Sequence, residues 1–144
     1  MNVEAVVKDD YLVLIEVWEA SVRATHDFLN EETIVELKPL ILEHYFDAVH
    51  LHCVKDEAGA IIGFSGVEDG NIEMLFISPE ARGTGVGASL LVHALQKQGA
   101  TKVDVNEQNI QALGFYEHLG FKVIGRSELD GQGRPYPLLH MALA

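Results

Sequence analysis

The sequence is short of cysteine and of long apolar runs. Cys53 is the only cysteine among 144 residues, which excludes a disulfide framework and any cysteine-rich metal site. Its surroundings, HLHCV, are apolar-rich, so we expect a buried structural thiol. No apolar stretch approaches the roughly 18 residues of a membrane span. The N-terminus also lacks the basic segment and cleavage site of a secretion signal, so we expect a cytoplasmic protein without a membrane partner.

Basic residues are also scarce. The chain has 10 Lys and Arg residues against 22 Asp and Glu residues, which gives a formal net charge of −12. An acidic surface repels nucleic acid, which is therefore not expected as a partner, and it attracts cations. The acidic residues are spread along the chain, as is typical of ordinary solvated surface. The 7 histidines lack the spacing of metal ligands, and we expect no metal.

Hydrophobic periodicity predicts a single domain over residues 1–144 with the element order β-α-α-β-β-β-α-β-α-β-β. Asn30 should open a second helix that runs to Tyr45 and is kinked or split at Pro39. Tight turns between the middle strands favour antiparallel neighbours, whereas the later strand–helix–strand units need parallel or crossover pairing. The expected fold class is α/β (α+β). We expect a single mixed, strongly twisted sheet of six to seven strands, flanked on both faces by about four helices.

A glycine-rich turn, GTGVGA at residues 83–88, follows the apolar strand MLFI and precedes an apolar helix. Such a turn aims backbone N–H groups and the positive helix end at an anion, which indicates a phosphorylated ligand. Its spacing also fits a dinucleotide-binding fingerprint, with Asp104 as the ribose-binding acid. Three observations count against a dinucleotide site. SPEAR separates the strand from the glycines, whereas in the fingerprint the strand runs almost directly into the first glycine. The preceding strands resemble hairpins, and the remaining chain is too short for a second mononucleotide-binding half and a substrate domain. No Gly-Lys-Ser/Thr follows, which excludes a Walker loop.

Two motifs in a fixed order narrow the choice of ligand. The first is R-x-x-G-x-G, from Arg82 to Gly87. The second, VNEQNIQALGFYEHLGF, reads V-x-x-x-N-x-x-A-x-x-F-Y-x-x-x-G-F and comes later in the chain. The pair resembles the GNAT superfamily of acetyl-CoA-dependent N-acetyltransferases, closely over residues 72–121 and more loosely over the whole chain. The resemblance implies a GNAT-like acyl-CoA N-acyltransferase fold and acetyl-CoA as cosubstrate.

The resemblance also implies which residues hold the coenzyme. Its pyrophosphate would rest on the glycine turn and the start of the next helix, where a Cβ would hinder close approach. Its pantetheine arm would pair with the preceding strand as an added strand. Asn109 would both cap the last helix and contact the coenzyme. The expected coenzyme-binding residues are Leu75, Phe76, Ile77, Arg82, Gly83, Thr84, Gly85, Val86, Gly87, Ala88, Asn109, Ala112 and Tyr116.

Acetyl transfer to an amine requires a proton acceptor and a group that stabilises the leaving thiolate. An alkylammonium with a pKa of roughly 10.4 must first lose a proton. Glu73, expected on the same strand face as Leu75, is the candidate base, with His26 or a water as alternatives. By resemblance, Tyr116 is the general acid. Donation from a phenol of pKa near 10 to a thiolate of pKa near 8.5 is uphill by roughly 2 kcal/mol, which leaves two roles open: stabilisation of the thiolate by hydrogen bonding, or proton donation only as the C–S bond breaks.

The resemblance places the acceptor site between the first two helices, their connecting loop and the last two strands. The candidate residues are Trp18, His26, Phe28, Asn71, Arg126 and Tyr136. Asn71 is expected on the same strand face as Leu75, as a group that orients a water. Arg126 favours an acidic substrate and the net charge a cationic one, and the sequence leaves both open. The expected function is acetyl transfer from acetyl-CoA to a primary amine, of a small molecule or a peptide, by direct attack in a ternary complex. A monomer and a homodimer both stay open, and the alternative is a non-catalytic acyl-CoA-binding regulatory module.

Overall fold

One mixed sheet of seven strands forms the centre of the protein in the computed structural model, which describes residues 1–144. The strands are β1 Val3–Ala5, β2 His50–Lys55, β3 Ile61–Glu68, β4 Asn71–Ile77, β5 Lys102–Asn106, β6 Phe121–Ser127 and β7 Leu138–Leu143. The helices are α1 Tyr11–Thr25, α2 Glu31–Leu40, α3 Val86–Lys97 and α4 Ile110–His118. The order of elements along the chain is the predicted one, and the fold class is confirmed.

Strand pairing follows the length of the connections. The order across the sheet is β1-β2-β3-β4-β5-β7-β6, so β1 and β6 are edge strands and the sheet is open. The first four strands are antiparallel neighbours joined in part by tight turns. β4 and β5 are parallel because α3 carries the chain back between them. β7 lies between β5 and β6 and is antiparallel to both.

The second helix changes its type near its end. The side chain of Asn30 accepts a hydrogen bond from the Thr33 N–H at 2.8 Å, which is the expected N-cap. Pro39 lies inside α2 and has no N–H to donate to the helical ladder. The α-helix ends at Leu40, and the chain continues as a π-helical turn over Ile41–Tyr45. The interruption predicted at Pro39 is therefore a local widening of the helix.

Two apolar layers cover the two faces of the sheet. Trp18 of α1 and Phe46 belong to the layer beneath α1 and α2, where they are 3% and 0% exposed. Leu91 of α3 and Tyr116 of α4 belong to the layer on the opposite face. Cys53 is fully buried in the first layer, which confirms the expected structural thiol. No helix in the chain is both long and apolar enough to span a bilayer.

β4 and β5 separate soon after they begin. They pair only at Asn71 with Lys102 and at Ile72 with Val103. Farther along, β4 remains paired with β3 on one side, but its other edge no longer meets β5. The backbone of residues 75–77 is therefore open on the β5 side, and the sheet has a gap at this point.

A bulge in β4 precedes this gap. The register between β3 and β4 shifts at Glu73, which is left as an extra residue without a partner. Ile72 and Leu75 consequently pack in the same core layer, although they are three positions apart, a spacing that would place them on opposite faces of a regular strand. Asn71, next to Ile72, therefore lies on the opposite face. The prediction that Asn71 and Glu73 share a face with Leu75 assumed uninterrupted alternation, and it is wrong for Asn71.

Candidate active site

A cavity of about 330 Å³ lies beside the open edge of β4. The end of α1, the strand β4, the turn before α3 and the start of α4 contribute its walls. The lining residues are Ser21, Thr25, His26, Leu75, Phe76, Ile77, Ala81, Arg82, Gly83, Gly85, Gly87, Ala88, Asn109, Gln111, Ala112, Phe115 and Tyr116. None of them is acidic, and Arg82 supplies the positive charge. In a protein of net charge −12, this lining favours an anionic ligand.

The glycine turn forms one end of the cavity. Gly83 and Gly85 have φ values of 78° and 91°, a conformation that residues with side chains rarely adopt. The first bond of the α3 ladder runs from the Ser89 N–H to the Gly85 carbonyl at 3.0 Å. The N–H groups of residues 86–88 therefore have no partner within the helix. A Cβ at Gly83 would meet no atom within 4 Å, so this backbone is open to a ligand. These features fit a phosphate held by backbone donors.

Arg82 joins the turn to the start of α4, where its guanidinium donates a hydrogen bond to the side-chain oxygen of Gln111. The other arginines, Arg23, Arg126 and Arg134, each form an ion pair with a glutamate. Arg82 forms no ion pair within the chain, and its charge is therefore free to balance that of a bound anion.

Two of the predicted coenzyme-binding residues do not line the cavity. Thr84 donates its hydroxyl to the carbonyl of Ala81 and so closes the turn. Val86 is 1% exposed and packs in the core beneath α3. These two side chains stabilise the turn and the start of α3. Every other predicted coenzyme-binding residue lies on the cavity wall.

The strand side of the cavity consists of residues 75–77 of β4. These residues pair with residues 63–65 of β3 and have no partner on the side of β5. An open strand edge of this kind can pair with the amides of an extended ligand, as a further strand would. The pantetheine arm of coenzyme A is such a chain of amides.

Tyr116 lies on the cavity wall and is otherwise buried, with 6% of its surface exposed. Its ring packs edge-on against Phe115 and Phe121, at centroid distances of 5.2 and 5.6 Å. Burial raises the pKa of the Tyr116 hydroxyl far above its usual value of 10, with no charge or hydrogen bond among the causes. The phenol is therefore protonated throughout the neutral range.

His26, which follows α1 as its C-cap, contacts groups from two walls of the cavity. Its Nδ1 lies 2.7 Å from the hydroxyl of Thr25, and its Nε2 lies 3.4 Å from Nδ2 of Asn109. The Thr25 hydroxyl in turn donates to the carbonyl of Ser21 at 2.8 Å. Burial lowers the pKa of His26 below its usual value of 6.5, and the charge of Asp27 opposes this shift. His26 is therefore mostly neutral at pH 7.

An aromatic series extends from His26 toward the loop between β6 and β7. The ring centroids of His26 and Phe28 are 5.2 Å apart, and those of Phe28 and Tyr136 are 6.1 Å apart. The hydroxyl of Tyr136 lies 3.2 Å from that of Thr33 in α2. The structure thus brings together three predicted acceptor-site residues, of which His26 lines the cavity itself.

The remaining predicted site residues lie elsewhere. Trp18 is in the hydrophobic core, so it is closed to a substrate. Arg126 pairs with Glu107, with Nε 2.5 Å from the carboxylate, and does not line the cavity. Asn71 lies at the start of β4, beside β5, and is likewise outside the cavity. Glu73 is exposed at the bulge and also absent from the lining.

Asp104, the acid required by the dinucleotide alternative, has a partner of its own. Its carboxylate lies 2.6 Å from Nδ1 of His140, whose Nε2 lies 2.6 Å from the hydroxyl of Ser127. None of these three residues lines the cavity next to the glycine turn. The hypothesis of a dinucleotide site is therefore not supported, because the acid that would bind the ribose does not lie beside the glycine turn.

The expected site residues do not include several residues of the wall, among them Ser21, Thr25, Gln111 and Phe115. Ser21 and Thr25 are four residues apart on α1, the spacing at which a threonine hydroxyl reaches the carbonyl one turn earlier. That spacing, directly before a histidine, was the available signal. Gln111 carried no comparable signal, because its role depends on the position of Arg82 across the cavity.

Comparisons with known proteins agree with this geometry. A family model described as an acetyltransferase (GNAT) domain matches residues 24–143. The peptidyl-lysine N-acetyltransferase YjaB of Escherichia coli K12 is 44% identical over 129 residues, which are 90% of this chain and 87% of that protein. The chain belongs to the GNAT acetyltransferases. It is therefore an N-acetyltransferase of a family that uses acetyl-CoA, and the predicted family and enzyme class are confirmed.

Solved structures extend the GNAT assignment to the whole fold. The solution structure of apo YjaB from Escherichia coli aligns with a TM-score of 0.87 at 40% identity, over 99% of this chain and 97% of that one. The PaiA N-acetyltransferase of Thermoplasma acidophilum, solved in complex with coenzyme A, aligns over the full length of both chains with a TM-score of 0.74. At 21% identity, the second likeness concerns the fold alone.

Proposed function

We propose that this GNAT acetyltransferase transfers the acetyl group of acetyl-CoA to the ε-amine of lysine in a protein or peptide. The observation that carries the proposal is the continuous cavity, which joins an anion-binding turn to a buried tyrosine and a neutral histidine. The transfer is direct, in a ternary complex. Cys53 is fully buried away from the cavity, so it is not available to carry the acetyl group.

The donor end of the cavity suits coenzyme A. Gly83, Gly85 and the first N–H groups of α3 would hold the pyrophosphate, with Arg82 as the charged partner. Residues 75–77 would pair with the pantetheine arm along the open edge of β4. The fold of PaiA, which was solved with coenzyme A, is consistent with this arrangement.

Tyr116 would stabilise the leaving thiolate. A buried phenol on the cavity wall can donate a hydrogen bond to sulfur as negative charge develops there. Because burial raises the pKa of Tyr116, complete proton transfer from its hydroxyl to the thiolate is less favourable than for a tyrosine of ordinary pKa near 10. Its contribution is then mainly a hydrogen bond that strengthens as the C–S bond breaks. Backbone N–H groups at the open edge of residues 75–77 would polarise the thioester carbonyl.

A lysine side chain suits the acceptor end. The relatives named peptidyl-lysine N-acetyltransferase cover most of this chain at 44% identity. The strongly acidic surface would attract a cationic lysine segment. Arg134, two residues before Tyr136, is paired with Glu36 at 2.9 Å, so its positive charge is balanced within the chain. Phe28 and Tyr136 provide apolar surface for the methylene chain.

The proposal is tested by measuring release of the coenzyme A thiol with three acceptors. These are a lysine peptide with a blocked N-terminus, a lysine-free peptide with a free α-amine, and spermidine. We expect the highest kcat/KM with the lysine peptide. Faster turnover with the α-amine or with spermidine would contradict the proposed substrate class. Tight acetyl-CoA binding without turnover on any amine would instead support a binding module.

A further inference from the structure

We propose that Nε2 of His26 accepts the proton that the attacking amine nitrogen loses, and that Thr25 is a positioning residue that holds the imidazole in the required tautomer. The inference rests on the proposed function and deepens it, because it names the group that completes the chemistry. Two hydrogen-bond arguments, from opposite sides of the ring, lead independently to the same protonation state.

The first argument comes from Thr25. A threonine hydroxyl has one proton, and here it is donated to the carbonyl of Ser21 at 2.8 Å. The same oxygen can only accept in its 2.7 Å contact with Nδ1 of His26. Nδ1 must therefore carry a proton. In a neutral imidazole, this leaves Nε2 with a free lone pair.

The second argument comes from Asn109. Its side-chain oxygen accepts the N–H of Ala112 at 3.1 Å, as the N-cap of α4. This fixes the orientation of the amide, so Nδ2, 3.4 Å from Nε2 of His26, is a donor. Nε2 must therefore be the acceptor in this contact. At 3.4 Å the contact is long, so an incoming N–H can displace it at small cost.

The surroundings of His26 favour the neutral ring. Asp27 is the neighbouring charge, and it opposes the effect of burial on the pKa of His26. α4 presents the uncharged Asn109 and Tyr116, and β4 presents apolar side chains to the same cavity. The turn before α3 contributes Arg82, the one arginine that lines the same cavity. The loop between β6 and β7 reaches the ring only through Phe28 and the uncharged Tyr136.

The chemistry sets the moment at which His26 acts. A ring of pKa below 6.5 is a poor acceptor for a proton on a free alkylammonium of pKa roughly 10.4. The ammonium first loses one proton to solvent, and the neutral amine attacks the thioester carbonyl. The imidazole becomes an effective acceptor for the second proton once the C–N bond forms, because the nitrogen is then positively charged beside the former carbonyl carbon and is far more acidic. Nε2 takes that proton, the C–S bond breaks, and the thiolate leaves hydrogen-bonded to Tyr116. The imidazolium then returns its proton to water.

Glu73, the carboxylate expected from the sequence, is less well placed for this step. It lies at the β4 bulge, is exposed, and does not line the cavity. His26 lines the same cavity as Tyr116 and Asn109. If His26 is the proton acceptor, replacing it should change the pH dependence of kcat, and if Glu73 is the acceptor, replacing Glu73 should do so. Experiment can therefore separate the two.

The test combines the pH dependence of kcat with NMR of the histidine ring. For the wild-type protein, we expect ¹⁵N shifts of the Nδ1–H tautomer at His26 and an acid limb in kcat below pH 6.5. His26→Gln should lower kcat by about 100-fold and remove that limb. Thr25→Val should shift the ring toward the Nε2–H tautomer and lower kcat, and Thr25→Ser should restore both. His118→Gln, at an exposed position of α4, is the matched control and should retain the wild-type profile.

The outcomes separate this inference from the proposed function. An acid limb that persists in His26→Gln but disappears in Glu73→Gln would overturn the role of His26, while acetyl transfer itself stands. An Nε2–H tautomer in the wild-type protein would also overturn it. Absence of acetyl transfer to lysine by the wild-type protein would instead refute the proposed function.

Discussion

The two ends of the cavity are built from different materials. At the proposed donor end, the groups open to a ligand belong mostly to the backbone, namely two glycines with positive φ and the N–H groups at the start of α3 that have no partner within the helix. At the acceptor end, side chains from distant segments meet, as Thr25 and His26 of the α1 region do with Asn109 of α4. The glycine turn of the donor end is continuous in sequence, whereas the acceptor end depends on the packing of distant segments.

This difference explains what each end can recognise. Backbone donors on a glycine turn bind any suitably shaped phosphate and tolerate little change in the main chain. Side chains that converge from separate elements can be replaced one at a time, so they can adapt to different acceptors within one fold. Under the proposed function, we therefore expect the donor end to be shared among relatives and the acceptor end to determine the substrate.

The largest expected effect is on the backbone of the donor end. Gly85→Val places a β-branched residue at a φ of 91°, and the resulting shift should misalign several N–H donors. We expect acetyl-CoA affinity to fall by about 100-fold, since each hydrogen bond to a charged group contributes roughly 1.5–3 kcal/mol. Isothermal titration calorimetry measures the affinity of each variant for acetyl-CoA. Gly99→Val is the matched control, because Gly99 has a φ of 65° after the other end of α3. It should destabilise the fold without a comparable loss of affinity.

A somewhat smaller effect is expected between the two ends, at Tyr116. Tyr116→Phe removes the hydroxyl and leaves the packed ring, so kcat should fall by about 10- to 100-fold through loss of a charge-assisted hydrogen bond. Affinity for acetyl-CoA should change little. Pre-steady-state release of thiol measures the chemical step. Tyr136→Phe, at the acceptor opening, is the comparison and should alter KM more than kcat. Equal kcat values for wild type and Tyr116→Phe would remove the tyrosine from the mechanism.

Arg82 is the exposed side chain of the donor end, and its contribution should be modest. Arg82→Gln should weaken acetyl-CoA binding by about 2- to 5-fold, which is the range of an exposed ion pair. The same change should reduce the dependence of affinity on salt concentration. Titrations at low and high salt measure both. A loss as large as that of Gly85→Val would mean that side-chain charge outweighs the backbone at this end.

The smallest effect concerns stability at the acceptor end. The pKa of His26 is lower in the folded protein than the usual 6.5, so the unfolded chain binds more protons between those two values. Stability therefore falls as the pH drops through this window. In His26→Gln, the stability lost between pH 8 and pH 5.5 should be smaller than in the wild type. Urea unfolding at both pH values measures this difference, and equal losses would show that His26 is not held neutral.

The predictability of the fold and the site follows the same division. The element order came from local periodicity. The expected turn residues Arg82, Gly83, Gly85, Gly87 and Ala88 line the cavity because the turn is contiguous in sequence, whereas those on β4 and in the α4 region followed from the family resemblance. Glu73 and Asn71 were placed by strict alternation, which the β4 bulge interrupts. Trp18 belongs to the core because its helical stripe faces the sheet, and Arg126 of β6 is paired with Glu107, which follows β5. The contact between His26 and Asn109 joins positions 83 residues apart, so no local pattern could reveal it.

The most direct test of the account follows labelled acetyl from acetyl-CoA to a peptide that contains one lysine and one free α-amine. Tandem mass spectrometry locates the label, with Gly85→Val and His26→Gln measured beside the wild type. We predict label on the lysine ε-nitrogen, formed slowly by both variants, with recovery at high acetyl-CoA concentration only in Gly85→Val. Label on the α-amine, or recovery of both variants at high acetyl-CoA concentration, would contradict the division of the cavity into a donor end and a catalytic acceptor end.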